Sequence, residues 1–271
     1  MIRLFHFLFK FYIDASIHVA LVVYALFYLF VQANQLVYKE AIAYTLFYGT
    51  ITGYNFVKFA PIAKLYHRSL TKNLRLIQLF SLLCFLALLY YAYQLPIRTV
   101  AVFLIGMLVV FAYVVPFLRN KNLRSIGGLK IYIVAFCWVL SIIIAPTIHY
   151  KLPLSNEFYL RIIQVFILVV ALIIPFDIRD LKYDEDILQT IPQKIGVQKA
   201  KILACSLLLI YLGIDFFLRN YFHSIASLLM VSIGLFMILK MQKKQGEYYC
   251  SFGIESLPIL KLVILLIIIC F

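Results

Sequence analysis

Residues 158–201 read FYLRIIQVFILVVALIIPFDIRDLKYDEDILQTIPQKIGVQKAK. From Phe158 to Phe176 the run is apolar, broken only by Arg161 and Gln164. A helix advances about 1.5 Å per residue, so roughly 20 such residues cross the hydrocarbon core of a bilayer. Asp177, Arg179, Asp180, Lys182, Asp184, Glu185 and Asp186 follow at once, and the next apolar run begins near Ala200. A spanning helix that opens into a charged loop and returns is the unit of a polytopic membrane protein.

The rest of the chain repeats that unit. Hydrophobic residues fill 65% of the 271 positions and charged residues 13%, with a mean hydropathy of +1.00. Soluble domains carry about 25% charged residues, so this chain cannot clothe a water-facing surface. Four or five of its apolar runs qualify alone as spans. Polar breaks predict nine: 13–31, 36–58, 76–93, 97–117, 129–149, 158–176, 200–218, 222–241 and 257–271. The fold class is therefore an all-α membrane bundle, one transmembrane domain over 1–271. Met1–Lys10 is basic and aromatic and no small-residue cleavage site follows Ile17–Val31, so the first run is expected to be a span and not a cleaved signal.

Lys and Arg are distributed unevenly between the two sides of that arrangement. Lys39, Arg98, Lys151, Arg161 and Arg219 fall on one side and the other twenty on the opposite one. The positive-inside rule then predicts an integral inner or plasma membrane protein with its N-terminus cytoplasmic and its C-terminus outside. The net charge of +14 follows from these juxtamembrane loops and the anionic lipids they face. No aromatic-basic nucleic-acid module accompanies it. The cysteines (Cys84, Cys137, Cys205, Cys250, Cys270) share no metal-type spacing and read as small apolar residues.

Three loops on the basic side are long or charge-dense, near 58–75, 119–130 and 177–201, so a site is expected to open there. In the third, Asp177, Asp180 and Asp184 stand at i, i+3 and i+7, which puts their carboxylates on one helical face. Two readings fit that row. Mg²⁺ is served by one or two carboxylates completed by water and phosphate oxygens, while a solvated acidic helix end needs no metal at all.

The stretch 176–201 resembles the second aspartate-rich motif of the UbiA superfamily of intramembrane prenyltransferases. Asp177, Asp180 and Asp184 fall on its acidic positions, and Thr190, Pro192 and Gly196 on the turn that follows. Tyr113, Arg119, Arg124 and Lys130 resemble the family's Tyr-x-x-x-x-Leu-Lys/Arg segment, and Trp138 lies in the next span. The resemblance implies a helical bundle around a cavity for an isoprenyl diphosphate, with Mg²⁺ on the aspartates and an aromatic or lipid acceptor. Membrane lipids are the surroundings, and a protein partner is left open. The family's first motif, Asn-Asp-x-x-Asp-x-x-x-Asp, is broken. Asn55 matches, but Phe56, Phe59 and Ala63 occupy the aspartate positions, and no aspartate lies between Ala15 and Phe176.

Two outcomes compete. A single Mg²⁺ on Asp177, Asp180 and Asp184 suffices, with Asn55, Lys58, Tyr113, Arg119, Lys121 and Arg124 binding the substrate. Otherwise transfer is lost and a repurposed homologue binds an isoprenoid, quinone or partner protein. A transporter is disfavoured, because the acidic residues are expected at span ends or in loops, Asp215 among them beside Arg219 near the outer boundary.

Overall fold

The computed structural model describes residues 2–65, 72–115, 123, 126–182, 188–218, 220–242, 245–246 and 248–270. These form twelve helices and no strand: α1 Ile2–Asp14, α2 Ile17–Ala33, α3 Glu40–Leu65, α4 Lys72–Tyr93, α5 Ile97–Val114, α6 Leu129–Val139, α7 Ala145–Tyr150, α8 Asn156–Asp180, α9 Ile191–Ile195, α10 Val197–Phe217, α11 Tyr221–Lys240 and α12 Leu257–Cys270. A π-helical turn, Leu140–Ile144, joins α6 to α7, so Leu129–Tyr150 is one continuous span. Seven helical segments are long and apolar enough to cross a membrane, and the bent pair α1–α2 counts as an eighth. The 26-residue α3, about 39 Å long at 1.5 Å per residue, is long enough to span but is not among these eight, so the described residues come close to the nine spans expected.

The boundaries differ from expectation in three places. The first span is broken: α1 and α2 meet at 58°, and Ser16 at the break has φ 61, a left-handed conformation uncommon for a side chain with a Cβ. The loop expected near 58–75 is largely helix, since α3 runs on to Leu65 and α4 starts at Lys72. The last span starts at Tyr249, because a π-helical turn over Tyr249–Ile254 precedes α12.

Packing follows the apolar faces. α8 lies against α6 and α10, α10 against α11, α11 against α12, and α2 against α3 and α12. Phe27, Ile142, Ile143, Leu168, Ile174, Leu208 and Met230 form the interior, each under 2% exposed. Gly234 lets α11 close on its neighbours, since a Cβ there would meet Leu257 at 3.0 Å and Leu208 at 3.1 Å. α4 is peripheral: only 11% of its apolar window is buried, and Leu79, Leu82, Leu83 and Leu86 point outward. Such a surface would aggregate in water and is natural against lipid.

Asp215 stands in the last turn of α10, as expected near a span end, but it is buried inside the bundle; Arg219 lies outside the described residues. The Asp215 carboxylate is fully buried and receives Lys261 Nζ at 2.6 Å, Arg161 at 3.5 Å and the Ser227 hydroxyl. Lys261 also donates to the Tyr211 hydroxyl at 2.8 Å, so it belongs to the bundle interior and not to the basic loops where its place in the sequence had put it. The pairing joins α8, α10, α11 and α12. Removing one partner of a buried ion pair strands the other charge, which costs about 3–5 kcal/mol. Lys261→Met is therefore expected to lower the melting temperature in detergent far more than Lys240→Met on the exposed end of α11; equal shifts would contradict this role.

Candidate functional site

A cavity of about 950 Å³ lies between the end of α1, α3, the end of α8 and the π-helical turn before α12. Its wall includes Asp14, Tyr54, Lys58, Phe176, Arg179, Asp180, Lys182, Tyr248 and Glu255. The break between α1 and α2 shapes one side. Asn55 of α3, 3% exposed, accepts from Ser16 Oγ at 2.8 Å and donates to Ala15 O at 3.1 Å and Ser81 Oγ at 2.8 Å. It thereby stitches α3 and α4 to the broken corner. One turn along α3, Lys58 Nζ donates to Ser16 Oγ at 2.9 Å and Asp14 O at 3.4 Å. The corner that Asn55 holds is the one that aims Lys58 into the cavity.

The opposite side is the last turn of α8. Arg179 chelates Asp180 with Nε at 2.7 Å and Nη2 at 3.0 Å, and its guanidinium lies 5.1 Å from the Phe176 ring centre. Asp177, one turn earlier, is 2% exposed and accepts from Lys130 Nζ at 3.0 Å. Asp177 thus faces α6, while Asp180 reaches the cavity. α8 ends at Asp180 and a turn follows at Leu181 and Lys182. Asp184 lies outside the described residues. So do Arg119, Lys121 and Arg124. Tyr113 is buried in α5 and is absent from the cavity wall.

The turn after the acidic stretch is ordered by the residues the sequence singled out. Gln193 Oε1 accepts from the Thr190 amide at 2.7 Å, Pro192 sits in the first turn of α9, and Gly196 takes φ 81 to pass into α10. The Gly128 amide donates to Leu188 O at 2.8 Å, tying the entrance of α6 to this segment. Trp138 Nε1 donates to the Tyr54 hydroxyl at 2.9 Å and so orients a ring of the cavity wall.

Among the described residues, no three of His, Cys, Asp and Glu stand together as a metal site. Asp177 is taken up by Lys130 and Asp180 by Arg179, so the described carboxylates do not by themselves fit a resident Mg²⁺. The wall instead mixes charges evenly. Lys58, Arg179 and Lys182 face Asp14, Asp180 and Glu255. Sequence reading passed over Glu255, Asp14, Arg179 and Lys182 as site residues, because the basic ones are what topology alone demands. For Glu255 a signal existed: it is the one acidic residue between Tyr248 and Phe271, inside a run that otherwise suits lipid.

An all-helical membrane bundle with a charged cavity at one end of its long helices defines the class: this chain has the fold of UbiA-type prenyltransferases. A solved structure of digeranylgeranylglyceryl phosphate synthase, a membrane protein, matches 96% of this chain and 97% of its own at TM-score 0.57 and 12% identity. A UbiA homologue from Archaeoglobus fulgidus, solved with Cd²⁺ bound, matches 96% of this chain and 95% of its own at TM-score 0.55 and 13% identity. No protein-family model and no curated protein matches the sequence. At this identity the likeness is one of fold.

The geometry makes Asn55 a positioning residue. Asn55→Ala is expected to destabilise the protein by about 1–3 kcal/mol, the cost of leaving buried polar partners unmet, seen as earlier thermal unfolding. A variant with unchanged thermal stability would show that the corner is held without it.

Proposed function

We propose that the chain is a UbiA-type prenyltransferase homologue that takes an isoprenyl diphosphate into this cavity and transfers the isoprenyl group to an aromatic or lipid acceptor. The observation that carries the reading is the convergence of Lys58, Arg179 and Lys182 on one cavity of a bundle with this fold. In such a transfer the bond from the allylic carbon to the diphosphate oxygen breaks, and the electron pair leaves with the diphosphate. Fixed cations aimed at that oxygen lower the barrier, and guanidinium and ammonium groups suit phosphate. Tyr54 and Phe176 offer aromatic faces to the allylic cation, and the apolar bundle keeps water from it. In this reading Mg²⁺ accompanies the diphosphate as its counter-ion, bound largely by phosphate oxygens and water. The same reading has the cavity open to the cytoplasmic side, which the Lys and Arg bias supports.

A second reading keeps the binding and drops the transfer. The pairs Asp177–Lys130 and Asp180–Arg179, with no aspartate at the first motif, favour it. Release of inorganic diphosphate from farnesyl diphosphate, offered with aromatic and lipid acceptors, separates the two: turnover supports transfer, and tight binding without release supports the repurposed homologue.

Lys58→Ala is expected to weaken binding of farnesyl diphosphate about tenfold or more, the scale of one charge-assisted hydrogen bond. Lys240→Ala, on the same basic side but not on the cavity wall, serves as the control. Equal effects in the two variants would reduce Lys58 to a topological charge and remove the support for this site.

A further inference from the structure

We propose that α1 is a membrane-surface anchor, lying in the headgroup layer with its apolar face among acyl chains and its basic face against anionic lipid headgroups. The inference is independent of what the cavity catalyses. A helix that spans against lipid is apolar nearly all round, whereas one with a basic face and an apolar face settles in the interface plane. α1 divides its faces more sharply than any long helix of the bundle. Leu4, Phe5 and Leu8 stand at i, i+1 and i+4, on one face, and are 62%, 72% and 54% exposed. His6 and Lys10, four apart on the opposite face, are exposed as well. Arg3 and Lys10 are the only charges before Asp14, so no acid offsets them until the last residue of the helix.

The backbone sets this helix apart from the spans. α2 packs on α3 and α12, and α1 leans 58° away from α2, well toward the membrane plane. The second half of α1 is seated on the bundle. Phe9 meets Tyr248 and Phe252 edge-on, with ring centres at 5.0 and 5.3 Å, and Phe11 meets Phe80 at 5.4 Å. The Tyr12 hydroxyl and His18 Nδ1, 2.7 Å apart, close the bend. Around the helix, Leu4 and Leu8 fall between Phe9 and Phe11. Phe80 belongs to α4 and Phe252 to the last span, so this apolar face is turned toward the level of the spans, where the acyl chains are. Charge decides the occupant: basic residues above an apolar face match an anionic leaflet, whereas a second copy of α1 would set like charges together. α1 ends at Ile13 and Asp14, which line the cavity, so the lipid surface and the cavity wall meet in one helix.

The experiment uses the full chain in vesicles of phosphatidylcholine, alone or with an equal part of phosphatidylglycerol. Leu8→Trp and His6→Trp place a fluorophore on each face, and the signal of Trp138, the one native tryptophan, is subtracted. Thermal unfolding checks that both variants are folded. Lipids brominated on their acyl chains are expected to quench Leu8→Trp at least about threefold more than His6→Trp, with the reverse order for aqueous acrylamide. Equal quenching of the two by brominated lipid overturns the anchor in favour of a span. Quenching of both by acrylamide alone overturns it in favour of a helix standing in water, and shielding of Leu8→Trp from both reagents in favour of a protein contact. Lipid charge is tested on the chain with its native tryptophan alone. Hydrogen exchange at the amides of residues 7–11 is expected to be at least about threefold slower with phosphatidylglycerol present, and the gain to shrink in Lys10→Gln. Equal exchange in the two vesicles, or a gain undiminished by Lys10→Gln, overturns the role of anionic lipid.

Discussion

Inside a bilayer there is no water to solvate a charge, and a lone ammonium or carboxylate costs several kcal/mol. That constraint governs the polar interior of this bundle. Lys261 and Arg161 surround Asp215 toward one end, and Lys130 closes on Asp177 toward the other. Both are ion pairs made between different helices, so each also sets how those helices pack. The surrounding Leu, Ile and Val side chains provide contact area, but lipid is as apolar as they are and gives little reason for one helix to choose another. Polar pairs supply that choice.

The same constraint shapes the cavity. Among the described residues, three cations and three carboxylates share its wall. The break after α1 belongs to this design. Ser16 is held in a left-handed conformation by Asn55 and Lys58, and Asn55 is also tied to Ala15 O and Ser81. A strained residue kept by several surrounding bonds is a feature that functional sites tend to hold.

The matched asparagine of the lost first motif thus has work that requires no metal. Its three hydrogen bonds tie the α1–α2 corner to α3 and α4, and the lysine one turn later reaches the cavity. On the opposite side the second motif divides. Asp180 stays at the wall, and Asp177 turns to Lys130 of α6. The spacing of these aspartates was legible in the sequence; their separate partners were not, because Lys130 is 47 positions away.

Composition by itself determined the solvent of this protein, and with it the fold class, since only helices or closed barrels satisfy their backbones in lipid. Periodic breaks placed nearly every span, and the Thr190-Ile-Pro192 and Gly196 punctuation located the turn after α8. Those features are local: length, hydropathy and turn chemistry act within one segment. Which charges meet was decided only by the tertiary structure. Lys261 counts as a basic-side residue in sequence order and becomes the partner of Asp215 once α12 packs on α11 and its side chain reaches α10. Glu255 looks like an isolated acid in an apolar run until the assembled helices place it on the same cavity wall as Lys58 from α3 and Arg179 from α8. Pairing energy depends on distance in space, and that distance exists only after the helices have assembled.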